Sequence, residues 1–142
     1  MRKVKDILSR KGTSLFSVSP KTIVRDALSS MAEKNIGSIL IMENNKYLGL
    51  LTERDYARKV ILLGKSSKEV TVEDIMSIDH PHISKEHSVS QCMQIMSSSN
   101  VRYLPVFENE TLIGLISILD VIKETILEQE ETIQQLENYI YS

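Results

Sequence analysis

The sequence predicts a mixed α/β fold of the α+β type, with one β-α-β-β-α unit written twice and a long helix closing the chain. Two observations carry this. Sliding the chain against itself by 65 positions, as from Gly49 to Gly114, lays residues 27–61 over 92–126. The overlay pairs Met31 with Met96, Asn35 with Asn100, Asn44 with Asn109, Leu50 with Leu115 and Asp55 with Asp120; such a repeat decides the architecture before any single element does. Within each copy a helical period is followed by two short apolar runs around a polar turn.

Taken in order, "VKDIL" from Val4 and "VEDIM" from Val72 match at an offset of 68, so the second copy is three residues shorter before its first strand. After "FSVSP" (16–20), residues 23–34 place Val24, Ala27, Leu28 and Met31 at helical spacing, with Thr22 as the expected N-cap. In the second copy Ser88 and Gln91 form a capping box ahead of Met93 and Met96; these methionines read as core packing rather than as a binding surface. "SILIM" (38–42) and "YLGLLT" (47–52) flank "ENNK", whose Asn44 and Asn45 tolerate the positive φ of a tight hairpin. The equivalent hairpin is "YLPVF", "ENET", "LIGLIS", and Pro105 within it marks an edge strand or a bulge. A helix follows each hairpin, the first ending near Gly64 as a C-cap before the polar linker "KSSKE". A copy of about 60 residues has little core of its own, so the two are expected to pack sheet to sheet as one pseudo-twofold module with two equivalent clefts. The expected boundaries are 1–64 for repeat 1, 65–71 for the linker, 72–126 for repeat 2 and 127–142 for a C-terminal helical extension.

With 142 residues, 42% hydrophobic and 25% charged, the composition is that of an ordinary globular protein and excludes a disordered chain. A net charge of -2 with scattered Lys and Arg gives no basic footprint for nucleic acid. No apolar run approaches the ~18 residues of a membrane span, and the charged start does not lead into a signal-peptide core. The single cysteine, Cys92, forms no internal disulfide, so a reducing cytoplasm is expected. Cys92 aligns with Ala27 on the inner face of its helix and is expected to be a small core residue.

The chemistry concentrates in "GLLTERDYARKV" (49–60) and "GLISILDVIKET" (114–125), which share Gly-apolar-apolar-Thr/Ser-x-x-Asp. Two readings fit. Thr52 with Asp55, and Ser117 with Asp120, suit a helix N-terminus where the hydroxyl caps an amide and the carboxylate faces the helix dipole. The same geometry offers free N–H groups to phosphate and a carboxylate to the vicinal hydroxyls of a ribose, which together describe a nucleotide.

Two tandem copies of this unit, each with the Gly-to-Asp motif at the last strand–helix junction and "VSP" before the first helix, resemble a pair of CBS domains of the bacterial stand-alone type over residues 1 to about 126. The resemblance implies that Asp55 and Asp120 each hold a ribose, with Thr52 and Ser117 near the phosphates. It places adenine by Ile83 at the Asp55 site and by Val18 at the Asp120 site. It also implies a phosphate contact from Arg102 at the start of the middle strand, where repeat 1 has Gly37 and Ser38 instead. Arg54, Arg58 and Lys59 supply cations to the first cleft. In the second, Ile118 and Leu119 of "SILD" depart from the small or hydroxyl residue many relatives carry, which points to a less charged adenosine compound there, or to no ligand.

The function implied is a regulatory sensor: a cytoplasmic homodimer that binds AMP, ADP, ATP or another adenosine compound such as NAD(H) or S-adenosylmethionine, and acts in trans on an unidentified effector protein. It needs no cofactor and has no expected nucleic-acid or membrane partner. The other reading is an interaction protein with degenerate clefts whose C-terminal helix contacts a partner. No P-loop and no nucleophile set beside a base is present in the sequence, so no catalytic residue and no enzymatic activity are expected. "DHPHISKEH" gathers Asp79, His80, His82, Glu86 and His87, but its loose spacing around Pro81 reads as a solvated connector rather than a metal site. In the tail, Ile122, Ile126, Ile133, Leu136 and Ile140 form a 3-4 apolar seam interrupted by Gln129, which favours self-association.

Overall fold

The computed structural model describes residues 1–12 and 14–141. The chain forms two compact units that do not coincide with the sequence repeats: one is Leu15–His80, and the other joins Met1–Ser14 to the chain from Pro81 onward. Two helices that the sequence reading left unassigned account for this. α1 (Val4–Lys11) precedes repeat 1 in sequence but buries Val4 and Ile7 in the second unit, whereas α4 (Val72–Ile75) opens repeat 2 but buries its ends in the first.

In the unit Leu15–His80, β1 (Ser17–Val18) runs parallel to β2 (Ser38–Glu43) across the crossover helix α2 (Val24–Lys34), and β2 pairs antiparallel with β3 (Lys46–Thr52). The hairpin turn carries Asn44 and Asn45 at φ 53° and 62°, as their short side chains permit. Val24, Ala27 and Met31 of α2 pack on Ile39, Ile41 and Leu51 of the sheet, the apolar stripe that the helical spacing foresaw. Thr22 is not the cap of α2. The N-cap is Ile23, with no side-chain bond, because distant backbone does the work: Val24 N–H donates to the Val70 carbonyl and Arg25 N–H to the Ser67 carbonyl, both at 2.9 Å. The Thr22 hydroxyl instead lies 3.1 Å from that of Ser19. After β3 come α3 (Glu53–Tyr56) and a π-turn, Ala57–Ile61, which closes through Gly64 at φ 69°.

The other unit contains α1, α5 (Val89–Ser99), β4 (Tyr103–Glu108), β5 (Thr111–Ser117) and α6 (Ile118–Tyr141). The capping box at α5 forms as expected: Gln91 N–H donates to Ser88 Oγ at 3.0 Å, and Ser88 N–H to Gln91 Oε1 at 2.8 Å. The first strand of repeat 2 shrinks to one bridge, Ile83 to Val106, beside the two-stranded sheet β4-β5. Ile83 N–H donates to the Pro105 carbonyl, and a register shift follows at Val106/Phe107. Pro105 thus sits where its missing N–H costs no ladder bond. Cys92 and Met96 are buried, with Met93 packed at the margin, alongside Val4, Ile7, Leu104 and Ile116.

α6 has 24 residues; Ser142, the end of the expected extension, lies outside the described residues. Its first half is fastened by a charge cluster. Glu124 has no solvent exposure; Arg2 donates to its Oε2 at 2.6 Å, and Arg10 faces Oε1 as an ion pair without hydrogen-bond alignment. Arg2 also reaches Glu131. Without such partners a carboxylate would not be buried.

Candidate functional site

Both motif junctions fold into reciprocal capping boxes. At the first, β3 delivers Thr52 in extended conformation and α3 begins at the next residue. Asp55 N–H donates to Thr52 Oγ1 at 3.1 Å, while Thr52 N–H and its hydroxyl donate to Asp55 Oδ2 at 3.0 and 2.9 Å. Oδ1 is occupied as well, by the Ser77 hydroxyl at 2.7 Å and by Lys59 Nζ at 3.0 Å. Asp55 is 5% exposed, so its own chain satisfies this carboxylate on both oxygens.

Ser77 reaches Asp55 because Gly49 lets a second segment come close. Leu50 and Ser77 exchange both backbone hydrogen bonds, at 2.9 and 2.8 Å. A Cβ on Gly49 would stand 2.7 Å from the Ser77 carbonyl oxygen. Gly49 is therefore a packing requirement, since the atom it would meet is backbone. Its counterpart Gly114 faces Leu8 of α1, whose Cδ2 would lie 2.7 Å from an added Cβ.

His80 departs from the solvated connector expected of its segment. It is 8% exposed, its Nδ1 has no hydrogen-bond partner, and burial pushes its pKa below the ordinary 6.5. The Asp55 and Asp79 charges oppose that shift, and Arg54 and Lys59 reinforce it. His82 stacks on Phe107 with ring centroids 4.2 Å apart. Among the described residues no three His, Cys, Asp or Glu side chains converge as a metal site.

At the second junction, Ser117 N–H and its hydroxyl donate to Asp120 Oδ2 at 2.8 and 3.1 Å, and Asp120 N–H returns a bond to Ser117 Oγ at 3.2 Å. Lys11 Nζ donates to the same Oδ2 at 2.6 Å and to the Leu115 carbonyl at 2.8 Å. These contacts all fall on Oδ2, and Oδ1 takes no hydrogen bond among the described residues. The Asp120 side chain is 18% exposed. Burial alone would raise its pKa, but the Lys11 and Ser117 bonds outweigh that and hold it below the ordinary 3.8.

The remaining candidates divide between the two units. Val18 on β1 lies opposite Ile41, Ser38 is buried opposite Thr52, and Arg54 is half-buried in α3. In the other unit Ile83 is buried at its bridge to Val106, and exposed Arg102 accepts the Ile118 N–H on its carbonyl. The structure brings together Thr52 with Asp55 and Ser117 with Asp120. The expected pairings of Ile83 with Asp55 and of Val18 with Asp120 join residues of different units and stand as expectations. Sequence reasoning missed Ser77 and Lys11. The signal was the match of "VKDIL" with "VEDIM", since both segments supply a residue against a motif glycine and a motif aspartate.

Comparison with known proteins agrees with this architecture. The CBS domain model matches twice, over residues 4–61 and 72–126. The CBS domain-containing protein CBSX3, mitochondrial, of Arabidopsis thaliana is 35% identical over 96% of this chain and 71% of its own length. YhcV of Bacillus subtilis is 28% identical over 84% of this chain and 83% of its own. Among solved structures, a CBS-domain protein from Burkholderia ambifaria MC40-6 that is ascribed to signal transduction superposes with a TM-score of 0.85 at 40% identity, covering 89% of this chain and 96% of that one. The CBS domain structure NE2398 gives 0.84 at 37%, covering 88% and 98%. No described helix is long and apolar enough to cross a membrane. The doubled motif, its two capping boxes and these likenesses agree that the chain belongs to the CBS-domain family, as a tandem pair followed by a long helix.

Proposed function

We propose that this chain is a non-catalytic regulatory sensor, in which an adenosine nucleotide binds at the second motif junction and its occupancy is passed in trans through a homodimer. The observation that supports it most is the state of Asp120. A half-buried, ionised carboxylate with one oxygen fully engaged and the other open is suited to accept from the vicinal hydroxyls of a ribose. Lys11 beside it, with its side chain 39% exposed, is a cation on a long stem that a phosphate could recruit. A ligand that recruits Lys11 would exchange a contact between α1 and α6 for one of its own, and such differential binding is how a ligand shifts a conformational equilibrium.

Asp55 supports a different role. With both oxygens occupied by its own chain, it suits a structural cap that ties α3 to the segment around Ser77, which is the degenerate-cleft reading applied to repeat 1.

The test is a thermal-shift panel of AMP, ADP, ATP, NAD(H) and S-adenosylmethionine, with guanosine and cytidine nucleotides as controls. A ligand at ~100 times its dissociation constant adds about 2.7 kcal/mol, several degrees for a domain of this size. We expect a shift with at least one adenosine compound, lost in Asp120→Asn and retained in Asp55→Asn. A shift lost in Asp55→Asn alone would reverse the assignment of the two junctions, and the absence of any shift would leave both motifs as caps.

A further inference from the structure

The outer face of α6 is apolar in a pattern that its own unit does not use. From 119 to 140 the helix spans three heptads, with Leu119, Ile126, Ile133 and Ile140 at one seam position and Ile122, Gln129 and Leu136 at the other. The six apolar members are 39% to 70% exposed. The opposite face is the one that docks: Val121 and Glu124 are buried, and the Arg2 and Arg10 contacts to Glu124 fix the rotation of the helix so that the seam points outward. From 129 to 141 every described residue is exposed, and a stretch of that length is marginal as an isolated helix in water.

We propose that this seam pairs with the same seam of a second copy as a parallel, in-register two-stranded coiled coil keyed by Gln129. It rests on the homodimer of the preceding section and not on its ligand. In the last heptad isoleucine at one seam position (Ile133) and leucine at the other (Leu136) is the combination that favours two parallel strands, whereas Leu119 and Ile122 reverse it in the first. Gln129 then decides orientation. In a parallel pair it faces its own copy, and two amides can each donate to and accept from the other. In an antiparallel pair seam positions of unlike kind meet, so each Gln129 would face isoleucine and leave a buried amide unpaired. The flanking charges agree: a parallel pair sets Glu130 and Glu137 against Thr125 and Thr132 of the other copy, and no two glutamates meet.

The experiment uses the full chain carrying Leu136→Cys, with light scattering for mass and mild oxidation for cross-linking. Residue 136 is exposed, so the substitution leaves the fold alone. Native Cys92 is buried, with its thiol pushed up to about 11, and does not compete. We expect a dimeric mass and conversion of most of the variant to a disulfide-linked dimer, because parallel registry brings the two Cα atoms within disulfide range. Mixing Ile126→Cys with Leu136→Cys should give no excess of mixed disulfide. Gln129→Leu should hold the dimer at least as tightly but lose its orientation, so that the mixed disulfide appears. A dimeric mass without a 136–136 disulfide, or a preference for 126–136, would overturn the inference and leave the homodimer standing. A monomeric mass would remove the homodimer itself.

Discussion

At His80 a titratable ring is held almost out of water with one nitrogen unpartnered. Its pKa is lowered in the folded chain, first by burial and then by the Arg54 and Lys59 charges, against the pull of Asp55 and Asp79. In the unfolded chain it returns to about 6.5. Between these values the unfolded state carries the proton and the folded state does not, so stability must fall as pH drops below about 6.5. The urea midpoint should therefore decline between pH 7.5 and 5.5, and His80→Leu should flatten that decline; an unchanged slope in the variant would refute the burial account. The sequence could not show this. His80 reads locally as part of a polar run beside Pro81, and only the fold supplies the cover. Asp55 and Asp120 differ for the same kind of reason. Their motifs are alike in sequence, but the groups that reach them, Ser77 and Lys11, come from segments 22 and 109 positions away.

Among the elements, those set by short-range chemistry were legible. The asparagine turn of the first hairpin, the Ser88–Gln91 box and the apolar stripe of α2 each depend on residues a few positions apart. The start of α2 was not, because carbonyls more than forty positions downstream satisfy its first amides and relieve Thr22 of the task. α1 and α4 escaped for a related reason: each is short, and each is stabilised by a core assembled from the other repeat. α6 shows how far an element depends on one buried charge. Glu124→Ala should cost about 3 kcal/mol in urea unfolding, since it empties a buried position and breaks the Arg2 and Arg10 contacts. Glu124→Met, similar in volume and apolar, should recover most of that, because Arg2 and Arg10, 24% and 43% exposed, can turn to water when the carboxylate is gone. Equal losses in both variants would mean that the ion pairs contribute net stability beyond filling the space.

For the molecule as a whole, the repeat in the sequence and the unit in space are offset by one helix, and this decides how the chain can be divided. A fragment of residues 15–80 contains every element of the first unit, whereas 1–64 lacks α4 and its buried Val72 and Ile75. The first should unfold cooperatively in urea and the second should not, as circular dichroism at equal concentration would show; the opposite ranking would mean that α4 is dispensable. The same offset places both ends of the chain, α1 and α6, in one unit, joined where Arg2 and Arg10 meet Glu124. Seen mechanically, the α1–α6 contact is a clasp that ties the chain off on itself, with residues 15–80 inside the loop of sequence it closes. Tension applied to the two termini is borne first by the α1–α6 contact, and the intervening unit is drawn upon only after that clasp has opened.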